Sequence, residues 1–466
     1  MQHIKEKILK FKQSITAIDM TEGKPWHKLL LFTLPLLVGN AFQQLYSTVD
    51  AIMLGRFVGI YALAAVGSTI SIFFLVMVLM MGISIGAGVM VAQYFGAKRR
   101  DELSHTIGTC ITLTAILGVF LMIVGPLLTR PLLTFLNTPE EIIDYSVIYI
   151  NILLWGVLGM SYFNILSGIL RGVGDAFSPL LYLAFSSLLN IALNFIFLGI
   201  LGWGMAGAAI GTVISQSTSA LLCLRKLLKM RDVFDFQVKH LRPKEECVSQ
   251  VMKLGLPTGA SQAVFAIAMM IVQPLANNFG PLFIASNFIV MKVDGFVMMP
   301  NFSFGNAMTV YAGQNMGAGK IDRVSQGTKQ CLLMALGMAA IMVAGILLFG
   351  RNIAGLFLDP AAPYEVLDMS VRFLRILAGG YLAFSINMVL WGTIRGAGDA
   401  MTPMYASLLN TGLVRVPMAY LLVHIMGEPV AIIYSLLISW TTISLMSVIA
   451  YRLGWWRTRG LVKRVQ

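Results

Sequence analysis

Twelve long apolar segments follow one another along this chain, and they limit its possible folds more than any other feature of the sequence. A helix that crosses the hydrocarbon layer of a bilayer needs about 20 mostly apolar residues, and each segment reaches that length. The sequence therefore predicts an all-α integral membrane protein with twelve transmembrane helices. The segments run from Leu29 to Leu54, Ala62 to Ala92, Ile107 to Leu128, Ile142 to Leu170, Leu180 to Leu201, Met205 to Leu228, Val251 to Phe279, Leu282 to Tyr311, Thr328 to Phe349, Val366 to Ile394, Met404 to Ile425 and Val430 to Leu453.

The composition supports a membrane location. Hydrophobic residues make up 57% of the 466 residues and charged residues only 12%, whereas soluble domains carry about 25% charged residues. A soluble fold of this length could not bury so much apolar surface, so lipid must be the solvent for much of the chain. The formal net charge of +13 would suggest a nucleic-acid partner in a soluble protein. Here the basic residues are confined to particular loops, and we expect no such partner.

The distribution of Lys and Arg between the loops predicts the orientation of the chain. Cytoplasmic loops are enriched in Lys and Arg, and the richer set comprises both tails and the loops after helices 2, 4, 6, 8 and 10. We therefore expect a multi-pass protein of the plasma membrane, the inner membrane of a bacterium, with both termini in the cytoplasm. The richer set includes Lys98, Arg99, Arg100, Arg225, Lys226, Lys229, Arg231, Lys320, Arg323, Arg457, Arg459, Lys463 and Arg464. The opposite set holds Arg56, Arg130 and Arg351 beside Glu140, Glu141, Asp359 and Glu428.

An internal repeat divides the chain into two halves. AQYFGAKRRD from Ala92 resembles GQNMGAGKID from Gly313, and RGVGDAFSP from Arg171 resembles RGAGDAMTP from Arg395. Together with LPLL at Leu34 and LPTG at Leu256, the offsets lie between 221 and 224 residues. Each half holds an even number of helices, so both halves have the same orientation. We expect two six-helix bundles related by a pseudo-two-fold axis along the membrane normal, with a cavity between them.

The repeat also sets the predicted domain boundaries. The expected parts are a cytoplasmic N-terminal tail (1–28), an N-terminal bundle (29–228), a cytoplasmic linker (229–250), a C-terminal bundle (251–453) and a basic cytoplasmic tail (454–466).

These repeated segments resemble the multidrug and toxic compound extrusion (MATE) family, from about Trp26 to Leu453. The similarity lies in QQLYSTVDAIMLGRFVG (Gln43–Gly59), in GQNMGAGKIDR and in the paired RGxGD turns. It implies two bundles around a V-shaped central cavity, and exchange of H⁺ or Na⁺ for cationic amphipathic drugs by alternating access. The seventh helix lacks a carboxylate, so the chain resembles the DinF-like branch more than the NorM-like branch.

Asp50 is the first candidate for an ion-coupling site. It is an acid within an apolar helix, and such a group is costly in lipid unless it is paired or hydrated. At 1.5 Å per residue it lies about 33 Å along the helix from Lys28, toward the outer leaflet. Position alone leaves open an acid that simply faces outside water. The family resemblance implies that Asp50 is the coupling aspartate.

The fifth helix adds two amides to this candidate site. Asn190 and Asn194 lie one turn apart and therefore on one face. The family pattern there is N-x-x-x-D, so Asn194 stands where the resemblance implies an acid, and an amide cannot take up a proton near neutral pH. Asn194 could instead offer its carbonyl oxygen to Na⁺ or hydrogen-bond Asp50. Thr212 and Ser167 match family positions near the site. The alternative is that these small polar residues form hydrogen bonds between helices.

A second group of polar side chains and methionines could line the substrate cavity. Lys292 and Asp294 point to different sides of the eighth helix. They could bind charged groups of a substrate, or they could form neutralising contacts with residues of other helices. Arg415 is a possible partner for Asp294. Methionine adapts to several ligands. The alternative is lipid contact for the methionines and interhelical packing for the uncharged polar residues. The candidates are Gln43, Gln44, Tyr46, Gln262, Asn287, Lys292, Asp294, Met298 and Asn301.

The two RGxGD turns are predicted to be structural or gating elements. Their glycines suit positive φ angles, and their proline restarts the next helix. Arg171 with Asp175, and Arg395 with Asp399, could tie the loop ends together on the cytoplasmic side.

The remaining motifs favour a transporter over an enzyme. The chain has no Walker motif, no HExxH and no GxSxG, so neither ATP hydrolysis nor these hydrolytic chemistries are expected. Its four cysteines are scattered without a CxxC, which predicts neither a metal site nor a disulfide framework. We expect no cofactor beyond the coupling H⁺ or Na⁺.

The leading hypothesis is a secondary active multidrug antiporter for cationic amphipathic small molecules. The alternative is a flippase for a lipid or lipid-linked precursor from the same superfamily, but embedded basic residues are few, which argues against a pyrophosphate substrate. A cavity inside each protomer needs no second copy, so we expect a monomer in the bilayer.

Overall fold

The computed structural model describes residues 18–135, 138–235, 237–358 and 363–462, and these residues are almost entirely helical, with no strand among them. The predicted tails lie partly outside this range, because residues 1–17 and 463–466, including Lys463 and Arg464, are not described. Asp359 of the predicted outer loops also lies outside it.

The helices follow the predicted apolar segments in order. The first seven α-helices are α1 (Pro25–Phe57), α2 (Ile60–Gly96), α3 (Arg100–Phe135), α4 (Glu140–Trp155), α5 (Val157–Gly172), α6 (Phe177–Asn194) and α7 (Gly204–Leu228). The next seven are α8 (Glu245–Asn277), α9 (Gly280–Gly317), α10 (Ile321–Gly355), α11 (Tyr364–Gly396), α12 (Met401–Leu409), α13 (Val416–Met426) and α14 (Val430–Leu453). Two π-helices, Phe195–Ile200 and Asn410–Arg415, and two 3₁₀-helices, Val238–Leu241 and Trp455–Thr458, complete the described secondary structure.

The prediction of an all-α membrane protein with twelve spans is confirmed. Within the described ranges, eleven helical segments are long and apolar enough to cross a membrane, and α4 with α5 forms a twelfth span bent by 53°. The bend falls at Gly156, where an added Cβ would overlap the side chain of Val213. The close approach of α7 therefore requires glycine at the break between α4 and α5.

The chain forms two compact units. Of the described residues, one unit contains 18–19 and Leu34–Gly259, and the other contains Met20–Thr33 and 260–462. Helix α8 begins at Glu245, within the stretch that the sequence assigned to the linker, and the division between the units falls inside this helix. The predicted domain boundaries stay predictions.

Glycines allow backbones to touch inside the first unit. A Cβ at Gly172 would lie 2.8 Å from the carbonyl oxygen of Gly88, and a Cβ at Gly88 would lie 3.1 Å from that of Gly168. Helix α5 therefore presents a GxxxG pair, Gly168 and Gly172, to α2. Such small-residue pairs let membrane helices pack closely, where van der Waals contact replaces the hydrophobic effect as the driving force.

The second unit repeats this packing with α11 against α9. A Cβ at Gly392 would overlap the carbonyl oxygen of Gly305, and one at Gly396 would overlap that of Thr309. The second glycine of each GxxxG pair, Gly172 or Gly396, is also the first glycine of the RGxGD turn, so each turn begins at a point of close helix packing.

The RGxGD aspartates cap the helices that follow them. Asp175 accepts hydrogen bonds from the backbone N–H (2.9 Å) and hydroxyl (2.7 Å) of Ser178, and Asp399 accepts the equivalent pair from Thr402 at 3.0 and 2.7 Å. Gly174 and Gly398 have φ of 94° and 105°, as the sequence led us to expect. Among the contacts of the described chain, neither aspartate pairs with the arginine of its own turn. Asp175 instead lies 3.5 Å from Lys226.

Replacing Asp399 by Ala should destabilise the protein. The buried carboxylate satisfies a first-turn N–H and a hydroxyl of α12, and loss of a helix cap costs about 1–2 kcal/mol. A lower Tm of the purified protein in detergent would show this. Asp399→Asn keeps one acceptor for the N–H of Thr402, so its Tm should fall less. An Ala variant that melts with the wild type would contradict the capping role.

Candidate functional site

A chain of hydrogen bonds in the first unit joins five side chains from α1, α6 and α7. The Nδ2 of Asn194 donates to Oδ1 of Asp50 at 2.6 Å and to Oδ1 of Asn190 at 2.9 Å. The Nδ2 of Asn190 donates to the hydroxyl of Thr212 at 3.3 Å, and that hydroxyl shares a 3.3 Å hydrogen bond with the hydroxyl of Tyr46. We call these five residues the Asp50 network.

The local structure of α6 explains how the two amides reach Asp50. Asn190 and Asn194 are separated by one turn, and both are buried. The α-helix gives way to the π-helix directly after Asn194, and π-helical turns in α-helices often mark functional sites. Gly211 leaves room for the amide, because a Cβ at this position would lie 2.6 Å from Oδ1 of Asn194.

The donors and acceptors of the network leave oxygen atoms available. Asn194 uses its Nδ2 for both of its hydrogen bonds, and its Oδ1 is buried without a hydrogen-bond partner among the described residues. Asp50 is the one carboxylate among the five side chains. Carboxylate, amide carbonyl and hydroxyl oxygens are the ligands that hard cations prefer. The geometry therefore suits either a proton on Asp50 or a small cation held between Asp50 and Asn194.

An apolar cluster closes one side of the network. Leu54 lies one turn beyond Asp50, Leu198 lies one turn beyond Asn194, and both pack with Ala208, Tyr149 and Met160 in one buried group. These side chains are buried, as are both amides of the network. Electrostatic interactions within the network are therefore less screened than they would be in water.

Not every predicted member of the ion-coupling set lies in this network. Ser167 is buried on α5 and shares a 3.9 Å hydrogen bond with Cys223, which is the helix–helix contact that the sequence offered as its alternative. Tyr46, predicted for the substrate cavity, instead joins the Asp50 network. Gln43 is exposed on α1 and Gln44 is half-buried.

The second unit brings together several of the predicted cavity residues. Asn287, Asp294 and Met298 of α9 line one cavity of about 300 Å³. The hydroxyl of Tyr381 on α11 donates to Asp294, and the sequence gave no signal for this tyrosine within its apolar segment. Arg415 lines the same cavity but donates to Ser435 at 3.0 Å.

Three other cavity candidates lie elsewhere in the second unit. The amine of Lys292 lies 5.2 Å from the centre of the Phe288 ring, on another side of α9 from Asp294, as predicted. Asn301 is buried and accepts a 2.7 Å hydrogen bond from Ser385. Gln262 is exposed. The contact of Asn301 matches the packing alternative, and the role of the other two residues stays a prediction.

A cluster that the sequence did not single out joins α3 to the 3₁₀-helix Val238–Leu241. The possible ligand atoms of Asp101, His105 and His240 lie within 4.8 Å of one another. However, Nδ1 of His240 accepts the backbone N–H of Gln237 at 3.1 Å, so in a neutral ring Nε2 carries the proton. That nitrogen lies 3.7 Å from Oδ1 of Asp101 and, when protonated, has no free lone pair for a metal ion. The cluster therefore fits a structural contact better than a metal centre.

Comparisons with known proteins agree with this fold. A family model described as MatE matches residues 35–196 and 257–421. The chain is 28% identical over 458 residues to the "Probable multidrug resistance protein YoeA" of Bacillus subtilis, covering 96% of this chain and 98% of the relative. It is 27% identical over 445 residues to the "Probable multidrug resistance protein YpnP" of the same organism, covering 96% and 99%. A solved MOP superfamily transporter from Pyrococcus furiosus superposes with a TM-score of 0.88 at 24% identity, covering 94% of this chain and 97% of that one.

Proposed function

This chain belongs to the MatE family, and we propose that it is a secondary active efflux transporter that exchanges H⁺ or Na⁺ for cationic amphipathic small molecules. The multidrug resistance names of its relatives support this proposal, and they favour a transporter over an enzyme. We further propose that it works as a monomer in the plasma membrane of a bacterium, with both termini cytoplasmic. Placement in the DinF-like branch stays a prediction.

The Asp50 network is the observation that carries the proposal. A carboxylate within a spanning helix is functional by default, because the membrane makes it costly. Here it is held by an amide that also leaves a buried carbonyl oxygen free. A site with one titratable carboxylate and neutral oxygen ligands can bind and release one monovalent cation.

The mechanism needs only that ion and drug prefer different states of the protein. A ligand shifts a conformational equilibrium by its differential affinity for the two states. The hydrogen bond from Asn194 is charge-assisted while Asp50 is ionised, and such bonds are stronger than neutral ones. Binding of H⁺ or Na⁺ from outside would weaken this bond, rearrange the network and favour release of the drug.

An arginine-lined cavity in the second unit is the observation that favours the flippase alternative. Arg351, Arg372 and Arg375 line a cavity of about 510 Å³. Two of them are already paired, because Arg351 lies 3.0 Å from Asp368 and Arg372 lies 3.7 Å from Glu428. The remaining positive charge is small for a pyrophosphate, so we retain antiport of organic cations as the proposal.

Transport by the purified protein in liposomes tests the function. We would load vesicles with a fluorescent organic cation and impose H⁺ and Na⁺ gradients separately. Movement of the dye under at least one gradient, and none in empty vesicles, is the expected result. If neither gradient moves the dye, antiport of this class of cation is wrong, and translocation of labelled lipid should be measured instead.

Gly211→Ala should weaken coupling without unfolding the protein. The new methyl group would force Oδ1 of Asn194 to move, and a hydrogen bond to a charged group is worth about 1.5–3 kcal/mol. Because this bond opposes ion binding in the proposed mechanism, its loss should favour the ion-bound state, and we expect the ion concentration for half-maximal transport to fall about tenfold or more. Gly39→Ala is the matched control, since its Cβ would lie 3.6 Å from Leu180, an ordinary contact. Equal ion dependence in the two variants would show that the position of Asn194 does not matter.

A further inference from the structure

The cavity lined by Asp294 in the second unit has the features of a ligand pocket. It lies among α8, α9, α11, α14 and the π-helix Asn410–Arg415 and has a volume of about 300 Å³. Phe302, Phe384 and Trp440 line it with neighbouring ring centres 5.7 and 5.6 Å apart. Small-molecule sites are typically concave and apolar, with a few polar groups that orient the ligand.

Two side chains of opposite charge line this pocket without pairing. Asp294 accepts a hydrogen bond from Tyr381, and Arg415 donates one to Ser435 at 3.0 Å. In the part of the chain that the structure describes, no ion pair joins Asp294 to Arg415 or either of them to another residue. A guanidinium has five N–H donors, so most of those on Arg415 remain available.

The backbone around Arg415 explains why it stays separate from Asp294. Arg415 is the last residue of the π-helix, and its side chain is anchored to Ser435 of α14. Asn410, at the other end of the π-helix, donates to Ser439 of α14 at 2.8 Å. These two contacts fix the π-helix against α14, while Asp294 is held from α11 by Tyr381.

Buried charges that lack a partner are unfavourable, because desolvation is not offset by a nearby opposite charge. A ligand with one cationic and one anionic group would compensate both residues at once. A purely cationic ligand would leave Arg415 without a partner, and a purely anionic one would leave Asp294 without a partner.

We propose that this pocket binds a zwitterionic amphiphile, with its amine at Asp294, its carboxylate at Arg415 and an aromatic body against Phe302, Phe384 and Trp440. The proposal extends the substrate class from organic cations to zwitterions. It depends on the proposed efflux function only for the claim that such a ligand is transported. Binding to the pocket can be measured without any ion gradient.

Three ligands that share one ring system test the charge requirement. The probes are 2-naphthylalanine, its decarboxylated analogue 2-(2-naphthyl)ethylamine and its N-acetyl derivative, which near neutral pH are a zwitterion, a cation and an anion. Titration calorimetry on the full-length protein in nanodiscs measures their affinities. We expect the zwitterion to bind at least about tenfold more tightly than either derivative, because an unpaired buried charge is heavily penalised on binding. Equal or weaker binding of the zwitterion to the wild type would overturn the proposal without any mutation.

Variants then assign each charge to its residue. Arg415→Gln should abolish the preference for the zwitterion over the naphthylethylamine, and Asp294→Asn should abolish its preference over the N-acetyl derivative. Arg415→Lys keeps the charge and should keep part of the preference, which covers the case in which the Gln variant does not fold. Lys292→Gln removes a charge from the same helix outside the pocket lining and should change nothing. Retention of both preferences in the Asp294 and Arg415 variants would show that the ligand binds elsewhere.

The transport assay separates the two proposals. Gradient-driven movement of organic cations without a zwitterion preference would leave the antiport function standing and contradict the pocket assignment. Selective zwitterion binding without gradient-driven transport would support the pocket assignment and contradict the antiport function.

Discussion

Asp50→Asn is expected to reduce gradient-driven efflux to the level of empty vesicles. The substitution removes the one carboxylate of the Asp50 network, so the site loses the group that would bind H⁺ or balance the charge of Na⁺. The new amide has nearly the same shape, and its carbonyl can still accept the hydrogen bond that Asn194 donates at 2.6 Å. The fold should therefore remain intact, and Tm should stay close to that of the wild type.

A matched substitution separates this effect from a general loss of charge. Asp144 on α4 is exposed and lies 3.2 Å from Arg130. Since exposed ion pairs contribute about 0–1 kcal/mol, Asp144→Asn should transport like the wild type. If Asp50→Asn is folded and transports at the wild-type rate under the same gradient, the coupling site is not at Asp50. Asp294 would then be the first alternative.

Asn194→Asp tests whether an amide in place of the family's acid at position 194 affects ion coupling. The new carboxylate would lie beside Asp50, and two close carboxylates do not readily ionise together. We expect transport to show a changed dependence on external pH relative to the wild type, measured as initial dye efflux over a pH series. An unchanged pH profile would indicate that position 194 does not take part in coupling.

The twelve spans could be predicted from the sequence because a length of about 20 apolar residues is a strong signal in a membrane protein. The bend at Gly156 could not, because the contact that requires glycine there comes from Val213 on another helix. The two π-helices were not predicted either. A π-helix has a wider turn than an α-helix. Neither Phe195–Ile200 nor Asn410–Arg415 has a sequence pattern that predicts this wider turn.

The grouping of polar residues could be predicted only in part. The spacing of Asn190 and Asn194 placed them on one face, and the family resemblance brought Asp50 and Thr212 to the same region. The structure places these four side chains in one network, and their role in ion coupling stays a prediction. Sequence reasoning could not decide whether Asp294 and Arg415 pair, because that depends on the rotation and spacing of separate helices.

Gly392→Val is expected to prevent stable folding of the second unit. Even a methyl group at this position would overlap the carbonyl oxygen of Gly305, and a backbone atom cannot move aside as the end of a side chain can. Helices α9 and α11 would have to separate along their contact. Extra atoms in a well-packed core cost about 1–3 kcal/mol and sometimes more, and valine adds its methyl groups beyond the clash.

Gly379→Val, on the same helix, isolates the effect of packing. Nothing lies within 4 Å of a Cβ at Gly379, so the same side chain should be accommodated there. Yield of monodisperse protein and Tm in detergent would be compared for both variants. We expect Gly379→Val to resemble the wild type and Gly392→Val to give little or no monodisperse protein. If both variants fold equally well, the contact between α9 and α11 is adaptable, and the GxxxG pair that overlaps the second RGxGD turn does not fix the position of that turn.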